Sequence, residues 1–235
     1  MHISLKNFLV LGFTCFFLSS CNRSDELHGI KKHINEIAQN SAPQEDFGGV
    51  PPEGIGGDPI SNKQKNRNIQ PIKIEMYSVA QIASIPSQKL EGTEKDSRKY
   101  WSAEAKAYAE KWENKGVMVE GYLVKARQTG PESANGNSKT HRDIHCWITT
   151  DRRVNKREGI IAEVTPRWLA KNPGWTVENL DKLAMKRSHV RITGWLMWDE
   201  EHPDEVGKSR GSQWEIHPIT KFEIERGGQW VEITN

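Results

Sequence analysis

The sequence predicts an α+β chain, mostly β, whose C-terminal half closes as a small Greek-key barrel with a helix between its third and fourth strands. Two observations carry this. The pattern V-x-[V/I]-x-G-[aromatic]-L occurs twice, from Val117 to Leu123 and from Val190 to Leu196. Each copy alternates with period two and places a glycine where a sheet bends sharply. Between the copies lie two further alternating segments, Asp143 to Thr149 and Ile160 to Thr165, and then a helical stretch. The order strand, strand, strand, helix, strand, strand suits a closed barrel.

The elements follow in order. Asp25 to Asn40 has the spacing of a short amphipathic helix through Leu27, Ile30, Ile34 and Ile37. Ser41 to Pro71 is rich in Gly, Pro, Asn and Gln, including D-F-G-G-V-P-P-E-G-I-G-G-D-P. Such a stretch has too little apolar surface to offset the entropy of ordering, so residues 21–71 read as a flexible tether. The alternative is a segment that folds on a partner. Ile72 to Met76 alternates as a short strand. Ser102 is a helix N-cap for Ala103 to Lys115, with Gly116 as the stop and Tyr108 and Trp112 on one face. Residues 72–116 thus form a helical N-terminal extension, and 117–226 the barrel. Thr165-Pro166 opens the helix of the barrel, Pro173-Gly174 interrupts it, and Thr176 restarts it through Leu183. The last strand runs from Gln213 to Ile224.

Two glycine-bent strands, first and fourth, with this element order resemble an OB-fold, which closes in strand order 1-2-3-5-4. The C-terminal half is also similar to uncharacterised bacterial envelope proteins that share the E-G-Y-L, E-V-T-P, I-T-G-W-L and W-E-I-H-P blocks. That resemblance covers about half the chain. It implies a fold and carries over no catalytic residue.

The N-terminus indicates a compartment. Lys6 supplies a positive region, and Phe8 to Phe17 an apolar run too short to span a bilayer. Leu18-Ser19-Ser20-Cys21 then resembles the lipobox of bacterial lipoproteins. The resemblance implies that residues 1–20 are a signal peptide cleaved before Cys21, with lipidation of the Cys21 thiol and acylation of the new N-terminus. Several acyl chains, palmitate among them, would anchor the protein in a lipid bilayer. Asn22, in place of Asp, implies the outer membrane, facing the periplasm.

Composition excludes some classes. The net charge is +2, and removing residues 1–20 removes only Lys6, leaving about +1. No global field draws the chain to nucleic acid, so the charge argues against that partner. Cys15 leaves with the signal and Cys21 is acylated, so Cys146 has no disulfide partner. Its strand neighbours are isoleucines, which marks it as a core residue and not a nucleophile. No P-loop, G-x-S-x-G or dinucleotide fingerprint is present.

Period two assigns the faces. Ile144, Cys146 and Ile148 point inward, as do Ile160, Ala162 and Val164, and Trp214 and Ile216. Asp143, His145, Trp147, Glu163, Glu215 and His217 then point outward. In strand order 1-2-3-5-4 the second, third and fifth strands are neighbours, so these six share one outer surface, where OB domains bind. Three readings are open. Residues 72–115 could cover the face, with the polar groups hydrogen-bonded beneath them. The face could bind a ligand, with Trp147 as a stacking platform. Or His145, His217 and Glu163, with Asp143 or Glu215, could hold a divalent metal for Zn²⁺-type hydrolysis. No other cofactor is expected.

Asp199 to Glu205 (DEEHPDE) reads as a solvated acidic loop that would repel phosphate, and it lacks calcium-loop spacing. Gln128 to Arg142 reads as a mobile binding loop or a plain turn. Trp168, Trp195 and Trp198 read as core aromatics packing the helix and the bent strand. The functional expectation is a lipid-anchored periplasmic protein that binds an envelope component or small ligand. The alternatives are the metal-dependent hydrolase and a structural envelope protein docking on a partner.

Overall fold

In the computed structural model, residues 47–93 and 97–234 are described. The signal segment, Cys21 and the helix expected over Asp25 to Asn40 lie outside them. The elements are α1 (Pro59–Lys65), β1 (Ile74–Ser78), α2 (Val79–Ala83), α3 (Ala103–Glu113), β2 (Gly116–Gln128), β3 (Ile144–Thr149), β4 (Ile160–Val164), α4 (Pro166–Lys171), α5 (Val177–Met185), β5 (His189–Trp198), β6 (Trp214–Arg226) and β7 (Gln229–Glu232). No described helix is long and apolar enough to cross a membrane.

Strands β2 to β6 close the barrel. The path runs β2-β3-β4-β6-β5, and β5 pairs back onto β2. All pairs are antiparallel except β4 with β6, which are parallel. This is the OB arrangement, order 1-2-3-5-4.

The two signature glycines sit where the barrel wall bends most tightly. A Cβ on Gly121 would lie 2.7 Å from Ile148 Cγ2 and from Thr149 O. One on Gly194 would lie 2.3 Å from Pro218 O. Both strands also slip register near these points, between Leu123 and Lys125 and on either side of Gly194, as bulged strands of a tight barrel do.

The interior holds the residues that alternation placed there. Ile144, Cys146, Ile148, Ile160, Ala162, Val164, Trp214 and Ile216 all belong to the buried core. Thr165 and Pro166 open α4, and Thr176 Oγ1 accepts from Asn179 N to open α5. Leu180 and Ala184 of α5 are buried in the same core. Each large apolar side chain removed from water in this way contributes roughly 1.5–3 kcal/mol.

The structure moves several boundaries. The first strand is Ile74–Ser78, two residues later than expected, and adds in parallel to β2. Helix α3 begins after Ser102, whose hydroxyl accepts from Ala105 N at 3.1 Å. It ends at Glu113 with Asn114 as C-cap. Gly116 therefore begins β2 and does not stop the helix; it is small because a Cβ there would meet Pro71 Cβ at 2.2 Å. Beyond the expected last strand, Gly227 and Gly228, both with positive φ, turn the chain into β7.

The tether boundary at residue 71 is wrong. Residues 59–67 fold onto the barrel domain, although they have little apolar surface. Asp58 caps α1 through Ile60 N and Ser61 N. Asn62 donates to Glu53 O and Gly56 O, and Asn66 to Pro52 O and Ala134 O. Trp195 Nε1 and Trp168 Nε1 donate to the carbonyls of Ile69 and Arg67. Polar anchoring to backbone holds this segment where a hydrophobic face does not.

A polar cluster under a cleft

Asp143 precedes β3, which carries His145 and Trp147; Glu163 lies on β4, and Glu215 and His217 on β6. The register pairs His145 with Glu163 and Ala162 with Ile216, so the three strands bring these side chains to one outer surface, as alternation predicts. His145 Nε2 lies 2.8 Å from Glu163 Oε1. His217 Nδ1 lies 3.2 Å from Glu215 Oε1 and 3.6 Å from Glu163 Oε2. His217 Nε2 lies 3.7 Å from Asp143 Oδ2.

That surface is not wet. Asp143, Glu163, Glu215 and His217 are all buried, and His145 is half-buried. The cover is not residues 72–115. Helix α3 packs instead where Trp198 and Trp214 meet, with Trp112 6.1 Å from Trp214. The cluster is closed by three other segments. Asn135, from the loop after β2, donates to Asp143 Oδ1 at 2.9 Å. Arg210, from the loop after β5, lies 3.2 Å from Glu215 Oε2 and 2.6 Å from Asp199 Oδ2. Lys65 of α1 reaches Glu132 and Glu201 across the top.

Charge in this interior is strongly coupled. Burial pushes the Asp143 carboxyl up to about 8, helped by the charge of Glu132. Burial also raises Glu215, and the Glu163 and Asp199 charges add to it. Burial disfavours the Glu163 carboxylate too, but the imidazoles of His145 and His217 outweigh it and hold Glu163 below the usual range. His217 is opposed by burial, yet Glu163, Glu215 and Asp143 carry it up to about 9.

A cleft of about 510 Å³ opens above the cluster. It is framed by Thr129 to Ser133 of the loop after β2 and by Glu201 to Ser209 of the loop after β5, with His145 and Trp147 between them. Lys65, Arg127 and Lys156 complete the wall. These are the loops and strand that frame the binding face of an OB barrel.

Trp147 is not the bare stacking platform that the sequence suggests. It is buried, its indole N–H donates to Ser209 O at 2.8 Å, and cations lie over its ring, with Lys125 Nζ at 5.1 Å and Lys156 Nζ at 5.0 Å. The acidic loop also differs from expectation. Asp199 and Glu200 are buried, Asp199 against Arg210 and His202, and Glu200 against Arg98 and Ser61. Arg210, wholly buried, and Lys65 were not legible as site residues, because nothing in their local sequence marks them. Cys146 is buried in the core as expected, and burial pushes its thiol up.

No family model matches the chain, and no curated protein matches it. Among solved structures it is similar to the crystal structure of yeast Stn1 and Ten1, at 12% identity and a TM-score of 0.36. That likeness covers 66% of this chain and 65% of the other. Likeness at this level carries no functional argument, and the OB-like topology stands on the strand pairing given above.

Proposed function

We propose that this chain is a lipid-anchored envelope protein whose barrel binds a small anionic ligand, or the anionic part of an envelope component, in the cleft above His145. The observation that carries the reading is the position and charge of that cleft. It lies between the loops after β2 and β5, where OB barrels take their ligands. Its acidic residues are largely matched: Glu132 and Glu201 face Lys65, and Glu205 faces Arg210 and Ser209. At the other end Lys125, Arg127 and Lys156 crowd over Trp147. Burial lowers the Lys125 pKa, and the like charges of Lys156 and Arg127 lower it further, so three cations gather at this end. A carboxylate or phosphate group would pair with them.

Catalysis is not part of this reading. The anchoring rests on the lipobox-like Leu18 to Cys21 and is tested by Cys21→Ser, which should leave the chain unprocessed or out of the membrane fraction. Membrane pelleting of a processed Cys21→Ser chain would contradict it.

Ligand binding is tested by calorimetric titration of the full chain with inorganic phosphate, phosphorylated sugars, muramyl peptides, oligonucleotides and polyamines. Saturable heat with an anionic probe, lost in Arg127→Ala/Lys156→Ala, supports the cleft. Flat titrations throughout would remove it and leave a structural docking role. Binding of the polyamines alone would also overturn the proposed charge preference.

A further inference from the structure

We propose that Asp143, Glu163 and His217 form a buried binding site for one divalent transition-metal ion of the Zn²⁺ type. One ligand atom from each lies within 4.8 Å of the corresponding atoms of the other two. The residues come from three adjoining parts of the barrel wall, so the strand pairing itself holds them together.

The state of their atoms points to a ligand. Each side chain has one atom engaged and one buried atom with no hydrogen-bond partner. Asp143 Oδ1 accepts from Asn135, and Oδ2 has no partner. Glu163 Oε1 faces His145 Nε2 at 2.8 Å, and Oε2 has no partner. His217 Nδ1 faces Glu215 Oε1 at 3.2 Å, and Nε2 has no partner. Buried polar atoms are almost always satisfied, so three orphans among three neighbouring side chains are unusual. A cation satisfies all three together.

The engaged atoms fit as well. A metal-bound imidazole typically gives its other nitrogen to a carboxylate, and ligating carboxylates are themselves hydrogen-bonded. Glu215, Asn135 and His145 would play those supporting parts. His217 Nε2 lies 3.7 Å from Asp143 Oδ2, close to the spacing of two ligands that each sit about 2.0–2.2 Å from one ion, and Glu163 Oε2, 3.6 Å from the Nδ1 side of the ring, has to turn toward Nε2 to complete the set.

Charge agrees. Asp143, Glu163 and Glu215 place three carboxyls here, while the buried Arg210 is shared between Glu215 and Asp199. A dication would compensate the excess with neutral imidazoles. An imidazole with two carboxylates favours a borderline ion over Ca²⁺ or Mg²⁺. Three protein ligands leave one position for a water, and burial of all three keeps a substrate from the ion.

The sequence suggests a different set, His145 with His217 and Glu163. His145 and Glu132 do form a second group with Glu163. There, however, His145 Nε2 already faces Glu163, Glu132 faces Lys65, and neither has a buried atom without a partner. His145 is therefore a positioning residue beneath the cleft, and Asp143 takes the ligand position.

The inference stands independently of ligand binding in the cleft. The full chain is purified, stripped with chelator and titrated with Zn²⁺. One tightly held zinc per chain is expected, with Tm rising about 5–10 °C at free zinc a hundred times the dissociation constant. Asp143→Asn and His217→Gln should each lose the stoichiometric ion. Zinc-edge X-ray absorption of the wild type avoids reliance on the folding of those variants, and should show an all-N/O shell with one imidazole. The proposal is overturned by no retained zinc and no Tm rise, by folded variants that hold zinc as the wild type does, or by a shell with two imidazoles or sulfur.

Discussion

Arg98 Nη1 donates to Glu113 Oε2 at 2.7 Å, and both side chains are buried. The same guanidinium reaches Glu200 Oε2 and Trp198 O at 2.9 Å, and Glu113 Oε1 accepts from Trp198 N. The pair thus joins the chain before α3, the end of α3 and the end of β5. Burial disfavours the Glu113 carboxylate, and Arg98 outweighs it and keeps the carboxyl low.

Removing one partner strands the other charge in the interior. Arg98→Ala is expected to cost about 3–5 kcal/mol in urea unfolding. Arg98→Ala/Glu113→Ala should cost clearly less than the two single changes added together. A double-mutant cycle that is additive would show the pair to be energetically uncoupled.

Gly194 cannot carry a side chain without moving β6, since its Cβ would lie 2.3 Å from Pro218 O. Gly194→Ala should lower stability by about 2–4 kcal/mol. Gly130→Ala, where no atom lies within 4 Å of the added carbon, should stay within about 0.5 kcal/mol of wild type. Equal effects at the two positions would separate Gly194 from barrel closure.

His202 rises from its ordinary 6.5 to about 9, through its hydrogen bond to Asp199 against the opposing effects of burial and Arg210. Asp199, Arg210 and Glu215 are the charged groups that act on it. Its folded pKa exceeds its unfolded one, so its stabilisation is complete below about pH 6.5 and is lost as pH rises through about 9. The side chain is 44% exposed, so solvent screening limits the effect to less than about 1 kcal/mol. Wild type should lose stability relative to His202→Gln between pH 7 and pH 10. Parallel stability curves over that range would exclude the linkage.

Asn135 is the hydrogen-bond donor that fixes Asp143 Oδ1. Asn135→Leu is expected to weaken zinc binding about 10–100-fold while Asp143 itself remains. Unchanged zinc affinity in a folded Asn135→Leu chain would show that Asn135 does not orient the ligand.

The outer-face cluster was legible because period two and one strand order suffice to place Asp143, His145, Glu163, Glu215 and His217 together. Its cover was not. Ser61 meets Glu200 across 139 residues, and Lys65 meets Glu201 across 136, so no local pattern could reveal either contact. Residues 59–67 look like tether because apolar content is the usual sign of packing, whereas Asn62 and Asn66 hold them through backbone carbonyls. The acidic loop misleads for a related reason: a run of carboxylates reads as solvated until a distant arginine, Arg98 for Glu200, is placed beside it.

Strand β6 alone joins β4 to β5, and it follows the other four barrel strands in the chain. A nascent polypeptide complete to residue 213 holds four staves of the cask but not the one that draws it shut. His217 arrives with that stave, so Asp143 meets its imidazole neighbour, and Glu163 its second after His145, only once β6 has been made. Chains cut short before Trp214 should therefore present an open, adhesive sheet to quality-control proteases.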